Sequence, residues 1–345
     1  MRSEPDWQFT TGSRAKAEPR TRRMAQNRGA PRFRAWQRLA KPSSPAISLA
    51  MPKKFAVSLA IVLVSVGSAL AQSDYVQAVE KWRSDRETNL KKESGWLSLA
   101  GLFWLKEGVN TVGTGPQFDV RLTDNFKGGR FGEIDFKNGV AKLKVASGVE
   151  ATCDGKPVST IDLVSDEGGK PSEIRVGSQM FYLIRREDRF GIRLKDSQSK
   201  ARQEFKGLNW FPVDESYRVP ARLEAYPEPR EVMVPNALGG HFKMKSPGVL
   251  RFALQGQEHS LHPVLNDDGS LFLIFRDASN SSDTYLAGRF LDADKPVDGQ
   301  TTLDFNKAYN PPCAFSPYAT CPLPPEGNDV AIAIKAGEKR YDDEH

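Results

Sequence analysis

The residues of this chain best suited to chemistry crowd into its C-terminal third. Tyr285 and Arg289 lie in one short apolar-polar run, and Asp304, Asn306 and Asn310 follow just before a segment dense in proline that carries Cys313 and Cys321. If 303–306 is a strand, side chains alternate, so Asp304 and Asn306 share a face opposite Leu303 and Phe305. A carboxylate only accepts hydrogen bonds and a carboxamide both donates and accepts, which suits a hydroxyl-rich or amide ligand. Asn310 would meet the same ligand from a loop stiffened by Pro311, Pro312, Pro317, Pro322, Pro324 and Pro325. Tyr285, Arg289, Asp304, Asn306 and Asn310 are therefore the candidate ligand-binding set. A structural reading stands beside it. Asp and Asn ahead of prolines also cap turns, Arg289 is a natural partner for Asp304, and an irregular segment needs internal hydrogen bonds simply to stay folded.

No catalytic group can be assigned from motifs. There is no Gly-x-Ser-x-Gly elbow and no phosphate-binding Walker loop, and Gly113-x-Gly115 lacks the third glycine of a dinucleotide site. Ser197-Gln-Ser-Lys200 matches Ser-x-x-Lys, but no Lys-Thr-Gly follows it. The four histidines are His241, His259, His262 and His345. His259 and His262 are three apart in a strand-like stretch and so point to opposite faces. With seven residues between them, Cys313 and Cys321 do not have zinc-knuckle spacing. No metal or cofactor is expected. In an oxidising compartment the two form the natural disulfide, leaving Cys153 as a small buried apolar side chain.

Arg185, Arg186, Arg189 and Arg193 surround Glu187 and Asp188. The cluster reads either as a solvated hairpin with interleaved charge or as an anion-binding face. The lack of interleaved aromatic residues favours the hairpin.

These residues need elements to hold them. From Asp74 to about Glu93 the pattern is an amphipathic helix with Tyr75, Val76, Val79, Trp82 and Leu90 along one side, Asp74 as its cap and Gly95 beyond its end. After Gly95 short alternating stretches separated by Gly, Asp and Asn run onward, among them Lys142 to Val145, Phe181 to Ile184 and Leu271 to Phe275. The expected fold is mainly β: antiparallel sandwich-like or barrel-like units preceded by one N-terminal helix. A first β unit spans 96–198 and a second 208–340, with the polar stretch 195–206 between them; one continuous sandwich is the alternative. Asp154-Gly155 fits the tight hairpin turn that requires positive φ at both central positions.

Met51-Pro-Lys53-Lys54, an apolar run from Phe55, and Ala69-Leu-Ala71 have the parts of a secretory signal peptide. The sequence thus reads as 1–50 non-native extension, 51–71 signal, and a mature chain of 72–345 opening with the helix at 72–95. The expected location is the periplasm or the extracellular space after cleavage near Ala71. The 17 residues from Phe55 to Ala71 fall short of the ~20 a bilayer span needs. The whole chain has a net charge of +6, but residues 1–50 hold 11 Lys/Arg against three acidic residues. The mature part is mildly acidic, which argues against nucleic acid as a partner. It has no second membrane-length apolar run.

The segment from Thr284 through Tyr309-Asn-Pro-Pro-Cys313, Thr320-Cys-Pro322 and Ala336-Gly-Glu-Lys339 resembles the bacterial family known as domain of unknown function 1684. The likeness extends upstream through Gly207-Leu-Asn-Trp210 to Gly95-Trp96. It implies a shared domain and a shared site and names no reaction. More faintly, Gly108 to Gly113, Asp154 to Val158 and Val176 to Ile184 are similar to the strand-and-turn rhythm of forkhead-associated sandwiches. Gly128-Gly-Arg130-Phe-Gly132 does not supply their phosphothreonine-binding turn, and fold does not carry function. The sequence therefore points first to an exported protein binding a small polar, carbohydrate or peptide ligand of the envelope. The alternatives are a hydrolase using Asp304 or Glu326 as acid or base and a structural envelope protein without a ligand.

Overall fold

Strands dominate a computed structural model that describes residues 74–341. The extension expected at 1–50 and the signal expected at 51–71 lie outside the described residues. The helix occupies 74–90, ending earlier than its pattern indicated because the chain turns through a hydrogen bond from the Gly95 N–H to the Lys92 carbonyl. Val79 and Leu90 are buried on its inner face, and so are Arg83 and Arg86. The helical period placed the apolar residues correctly, while the two arginines between them read as solvent charge.

Beyond the helix the strands pair into sheets that are antiparallel almost throughout. Leu99–Trp104, Arg189–Asp196, Gln179–Arg186, Ile174–Val176, Thr152–Cys153 and Lys156–Pro157 form one sheet. Val120–Leu122, Gly108–Thr114, Arg130–Lys137, Val140–Val145 and Thr160–Leu163 form a second. The alternation is direct in Val140–Val145, where Ala141, Leu143 and Val145 are buried and the intervening residues exposed. Those side chains meet Ile174, Phe181, Leu183, Ile192 and Leu194 of the first sheet in a common apolar core, which makes this pair a sandwich. Asp154 and Gly155 take φ of 49° and 77°, as the hairpin turn between Thr152–Cys153 and Lys156–Pro157 requires. Cys153 beside it is only half-buried. Burial, then the neighbouring Asp154, pushes its thiol pKa up, away from thiolate reactivity.

A third sheet joins Gln257–Leu261, His241–Leu254, Arg218–Pro235 and Gln300–Asp304. A fourth joins Val264–Leu265, Leu271–Asp277 and Arg289–Ala293, with Asp329–Val330 parallel to Leu271–Asp277. Leu271, Leu273 and Phe275 face the core shared with the third sheet, whereas Phe272 and Ile274 face a second core with Leu99, Phe290, Tyr309 and Cys321. A strand covered on both sides must be apolar at every position, which explains the unbroken run Leu271-Phe-Leu-Ile-Phe275. Gly288, at φ +105°, leads into Arg289–Ala293; a Cβ there would lie 2.6 Å from the Phe275 carbonyl oxygen and 2.8 Å from Pro324.

The stretch 195–206, read above as a polar connection, is packed. Lys195 and Asp196 end a buried strand, Lys200–Gln203 forms one helical turn capped by Ser199, and Phe205 is buried. The Asp196 carboxylate accepts hydrogen bonds from Thr123 Oγ1, from Asn125 Nδ2 at 2.8 Å and from the Gln198 N–H at 2.9 Å. Burial alone would raise its pKa, but these donors outweigh it and hold the carboxyl below the ordinary aspartate value of 3.8. A depressed folded-state pKa stabilises the fold above the unfolded value, and that stabilisation disappears as pH falls through the folded value. Asp196→Asn is expected to cost about 1.5–3 kcal/mol at neutral pH. It should also flatten the acid loss of melting temperature below about pH 4, where the carboxylate otherwise begins to protonate. Thermal melts of parent and variant from pH 7 to pH 3 check this; parallel curves would remove Asp196 from the account.

Candidate functional site

The five residues singled out from sequence occupy different hydrogen-bonded knots. Gln300–Asp304 ends at Asp304, and Phe305–Lys307 is a 3₁₀ turn, so the strand alternation expected over 303–306 does not hold. Asp304 and Asn306 nevertheless come together. Tyr75 donates its hydroxyl to Asp304 Oδ1 at 2.8 Å, and Asn306 Nδ2 reaches the Tyr75 oxygen at 2.9 Å and the Asp214 carbonyl at 2.8 Å. Asn306 Oδ1 accepts the Asp214 N–H at 3.0 Å. Burial, then the hydrogen bond and charge of Asp304, pushes the Tyr75 phenol far above its ordinary pKa. The phenol therefore stays a proton donor.

Arg289 does not pair with Asp304. It is wholly buried against Asp277 at 2.7 Å and donates to the carbonyls of Ile334 and Ala336. Asn310 sits in a third knot, with its N–H on Glu338 Oε2 at 2.7 Å and its Nδ2 on the Lys339 carbonyl at 2.8 Å. Tyr285 is half-buried and donates to the Cys313 carbonyl at 3.2 Å; burial raises its pKa. Most donors and acceptors of these five side chains are engaged by the protein itself, while Arg289 Nε, Asp304 Oδ2 and Asn310 Oδ1 are buried without a hydrogen-bond partner. Glu326, the other carboxylate considered for acid-base work, is exposed beside a turn. Among the described residues no group of three His, Cys, Asp or Glu is placed to hold a metal ion.

A pocket lies elsewhere, where the first sheet meets the proline-rich loop. Ile192 and Leu194 of Arg189–Asp196 point into the sandwich core, so alternation puts Arg193 and Lys195 on the opposite face. In an uncovered sheet that face would be solvated. Here Arg193 is 4% and Lys195 5% exposed. Arg186, near the end of the preceding strand, joins them at 8%. The solvated-hairpin reading of the arginine cluster is thus corrected: 186 and 193 are buried, and only the turn around Glu187 to Arg189 is open. The aromatic partner that the local sequence lacked arrives from Trp96, whose ring lies 5.8 Å from the Arg193 guanidinium and 5.5 Å from Lys195 Nζ.

The cover is the disulfide loop. Cys313 and Cys321 sit at disulfide distance, with Cα atoms 6.2 Å apart. The loop is anchored by Ala237 N–H on the Cys321 carbonyl at 2.9 Å and by Leu323 N–H on the Pro235 carbonyl at 2.7 Å, at the tip of the long hairpin Arg218–Pro235 and His241–Leu254. It presents Thr320, whose Oγ1 accepts from Arg186 Nε at 3.3 Å and from an Arg193 terminal nitrogen at 2.9 Å. Phe290, Pro312, Cys321 and Pro322 complete a narrow cleft with about 20 Å³ of enclosed space and a mouth open to solvent.

Charge is unevenly matched in this space. Arg186 forms a two-pronged pair with Asp166, at 2.8 and 3.1 Å. Arg193 meets no carboxylate among the described residues, and its Nε, also buried, has no hydrogen-bond partner. A buried cation without a counter-charge loses several kcal/mol of hydration that one hydroxyl and one ring do not restore. What the arrangement can do is accept an anion. Residue types alone hid it, because the strand and its cover are more than 100 residues apart.

The fold and this pocket define a β-sandwich protein with a buried cationic cleft under a disulfide-closed loop. The chain belongs to the family described as Protein of unknown function (DUF1684), whose model matches residues 203–339. The match takes in the loop side of the pocket, while Trp96, Arg186 and Arg193 lie upstream of it. The chain is 34% identical to an uncharacterized protein of Haloarcula marismortui solved by solution NMR, over 42% of this chain and 81% of that one, with a TM-score of 0.35. It is also similar to the FHA domain of FhaA, crystallised with the intracellular domain of Rv3910, at 24% identity over 27% of this chain and 97% of that one, TM-score 0.19. A further FHA structure, Rv0020c_FHA, is 25% identical over 28% of this chain and 94% of its own, again with a TM-score of 0.19. No curated protein matches the chain.

Proposed function

We propose that this is an exported binding protein that holds a small polar ligand in the pocket under the disulfide loop. The observation that carries the reading is Arg193, a guanidinium 4% exposed that borders a cavity, has an unsatisfied Nε, and meets no carboxylate among the described residues. Export rests on the sequence from Met51 to Ala71 and accords with a close cysteine pair in a rigid loop. A hydrolase built on Asp304 or Glu326 draws no support from geometry, since one is held by Tyr75 and Asn306 and the other lies exposed in a turn. A sugar would need carboxylate or carboxamide acceptors at the pocket, and its polar lining consists of two guanidiniums and a hydroxyl.

The test is a thermal-shift screen of the full chain against small envelope-type metabolites: sugars, short peptides, amino acids and organic acids. A ligand at 100 times its Kd stabilises by about 2.7 kcal/mol, a shift of several degrees at this size. At least one class is expected to give such a shift. A flat screen at millimolar concentrations would overturn the binding reading and leave a structural envelope role.

A further inference from the structure

We infer that the occupant of this cleft is a halide ion, chloride in ordinary solution, a step that rests on the pocket being the binding site proposed above. Size makes the first selection. The cleft encloses about 20 Å³, close to the room one water molecule takes. A carboxylate already brings several heavy atoms, and a sulfate or phosphate brings more, so each has to stop at the mouth, away from the buried charge. A single-atom anion enters whole.

Charge makes the second selection, because a water molecule fits the same space and leaves the charge as it is. Asp166 neutralises Arg186. Arg193 and Lys195, both buried, form no ion pair with a carboxylate among the described residues; Lys195 Nζ donates to the Ser94 carbonyl, and the two cations share the Trp96 ring. A carbonyl and a ring ease the loss of hydration without supplying a negative charge. Of the two cations, Arg193 is the one that borders the cleft. One of its five N–H groups reaches Thr320 Oγ1, the buried Nε–H has no partner, and no protein acceptor among the described residues takes the others. Thr320 accepts from both guanidiniums, so its own proton is one more donor at the same place. A spherical anion accepts from several directions at once, whereas a carbonyl oxygen favours its lone-pair directions. The remaining wall is Trp96, Phe290, Pro312 and Pro322, an apolar lining that suits a weakly hydrated halide better than strongly hydrated fluoride. The ion thereby joins Arg193 of the first sheet to Thr320 of the disulfide loop and holds the loop down on the sheet.

The experiment exchanges chloride for gluconate, an anion too large for the cleft, at fixed ionic strength on the full chain. The melting temperature is expected to rise with the logarithm of chloride concentration, by several degrees between chloride-free buffer and about 100 mM. Bromide should substitute for chloride, while fluoride, acetate, sulfate and phosphate should bind more weakly by roughly tenfold or more. Crystals soaked in bromide should show an anomalous peak between Arg193 and Thr320. Chloride should slow hydrogen exchange in 313–322 more than in Val140–Val145. Arg193→Gln should abolish the chloride dependence and, in chloride-free buffer, melt at or above the parent temperature, because removing an unmatched buried charge relieves a penalty. Arg193→Lys, which keeps charge and loses the planar fork, should retain a weakened dependence. The anion series and the bromide peak need only the parent protein and decide the question even if a variant fails to fold. Equal stabilisation by gluconate or sulfate, no bromide in the cleft, or an unaltered chloride dependence in Arg193→Gln would each overturn the inference. If an organic metabolite stabilises the protein and chloride does not, the pocket remains a binding site and the halide assignment falls. If neither binds, both fall.

Discussion

Asp277→Ala lowers the stability of the protein by about 3–5 kcal/mol, the expected cost of stranding a buried cation. Asp277 Oδ2 meets Arg289 at 2.7 Å with both side chains wholly out of solvent. Its Oδ1 accepts from the Ser279 hydroxyl, from the Ser279 N–H at 2.8 Å and from the Ile334 N–H at 3.0 Å. Removing the carboxylate therefore leaves a guanidinium uncompensated, two backbone donors unsatisfied, and the 3₁₀ turn Ala278–Ser281 without its cap. Arg289 also fastens the C-terminal segment through the carbonyls of Ile334 and Ala336. Hydrogen exchange in 330–338 should accelerate along with the fall in denaturation midpoint. The double variant Asp277→Asn with Arg289→Met separates charge from packing. It should recover part of the loss, because no unmatched ion remains. A loss below 1 kcal/mol in Asp277→Ala would show that water reaches this pair and that the buried-ion account is wrong.

That contact also marks how far residue patterns reach. Period-two alternation identified Lys142 to Val145, and Asp154-Gly155 identified the turn between Thr152–Cys153 and Lys156–Pro157, because both are set by neighbours within a few residues. The run Leu271 to Phe275 was legible as a strand, but its cover on both sides was not, because the two cores that bury it are built by distant segments. The C-terminal segment was recognisable as dense and rigid, and the close pairing of Cys313 with Cys321 followed from spacing and prolines. Its internal partners were not recognisable. Asp304 and Asn306 meet through Tyr75, 229 residues upstream of Asp304, and Arg289 finds Asp277 rather than Asp304. Arg193 and Lys195 look like the wet face of an amphipathic strand, and locally they are. They become a buried cationic surface only when a loop more than 100 residues later closes over them, so the site depends on tertiary contacts that no local period encodes.

Glu338→Ala is expected to release the N-terminal helix at a similar cost of about 3–5 kcal/mol. Glu338 is wholly buried, pairs with Arg86 Nε and accepts the Asn310 N–H at 2.7 Å. Arg86 reaches it from the helix at 74–90 while donating to the Asn310 carbonyl at 2.9 Å and lying 4.6 Å from the Tyr309 ring centre. One carboxylate thus ties together the helix, the start of the proline-rich loop and the C-terminal segment. Without it the Arg86 charge must either stay buried with no carboxylate beside the Asn310 carbonyl and the Tyr309 and Phe315 rings or carry its helix out to water, and a helix of 17 residues held mainly by tertiary packing takes the second course. Limited proteolysis should then cut within 74–95 first, and amide exchange there should outpace exchange in the sandwich strands. Glu338→Gln tests the role of charge, since it keeps an acceptor for Asn310 and should lose less stability than alanine. If Glu338→Ala leaves helix protection unchanged, the helix is held by its other contacts, among them Val79, Leu90, the rings around Trp82 and the hydrogen bonds of Tyr75, Arg83 and Glu87, and the buried pair is incidental to its docking.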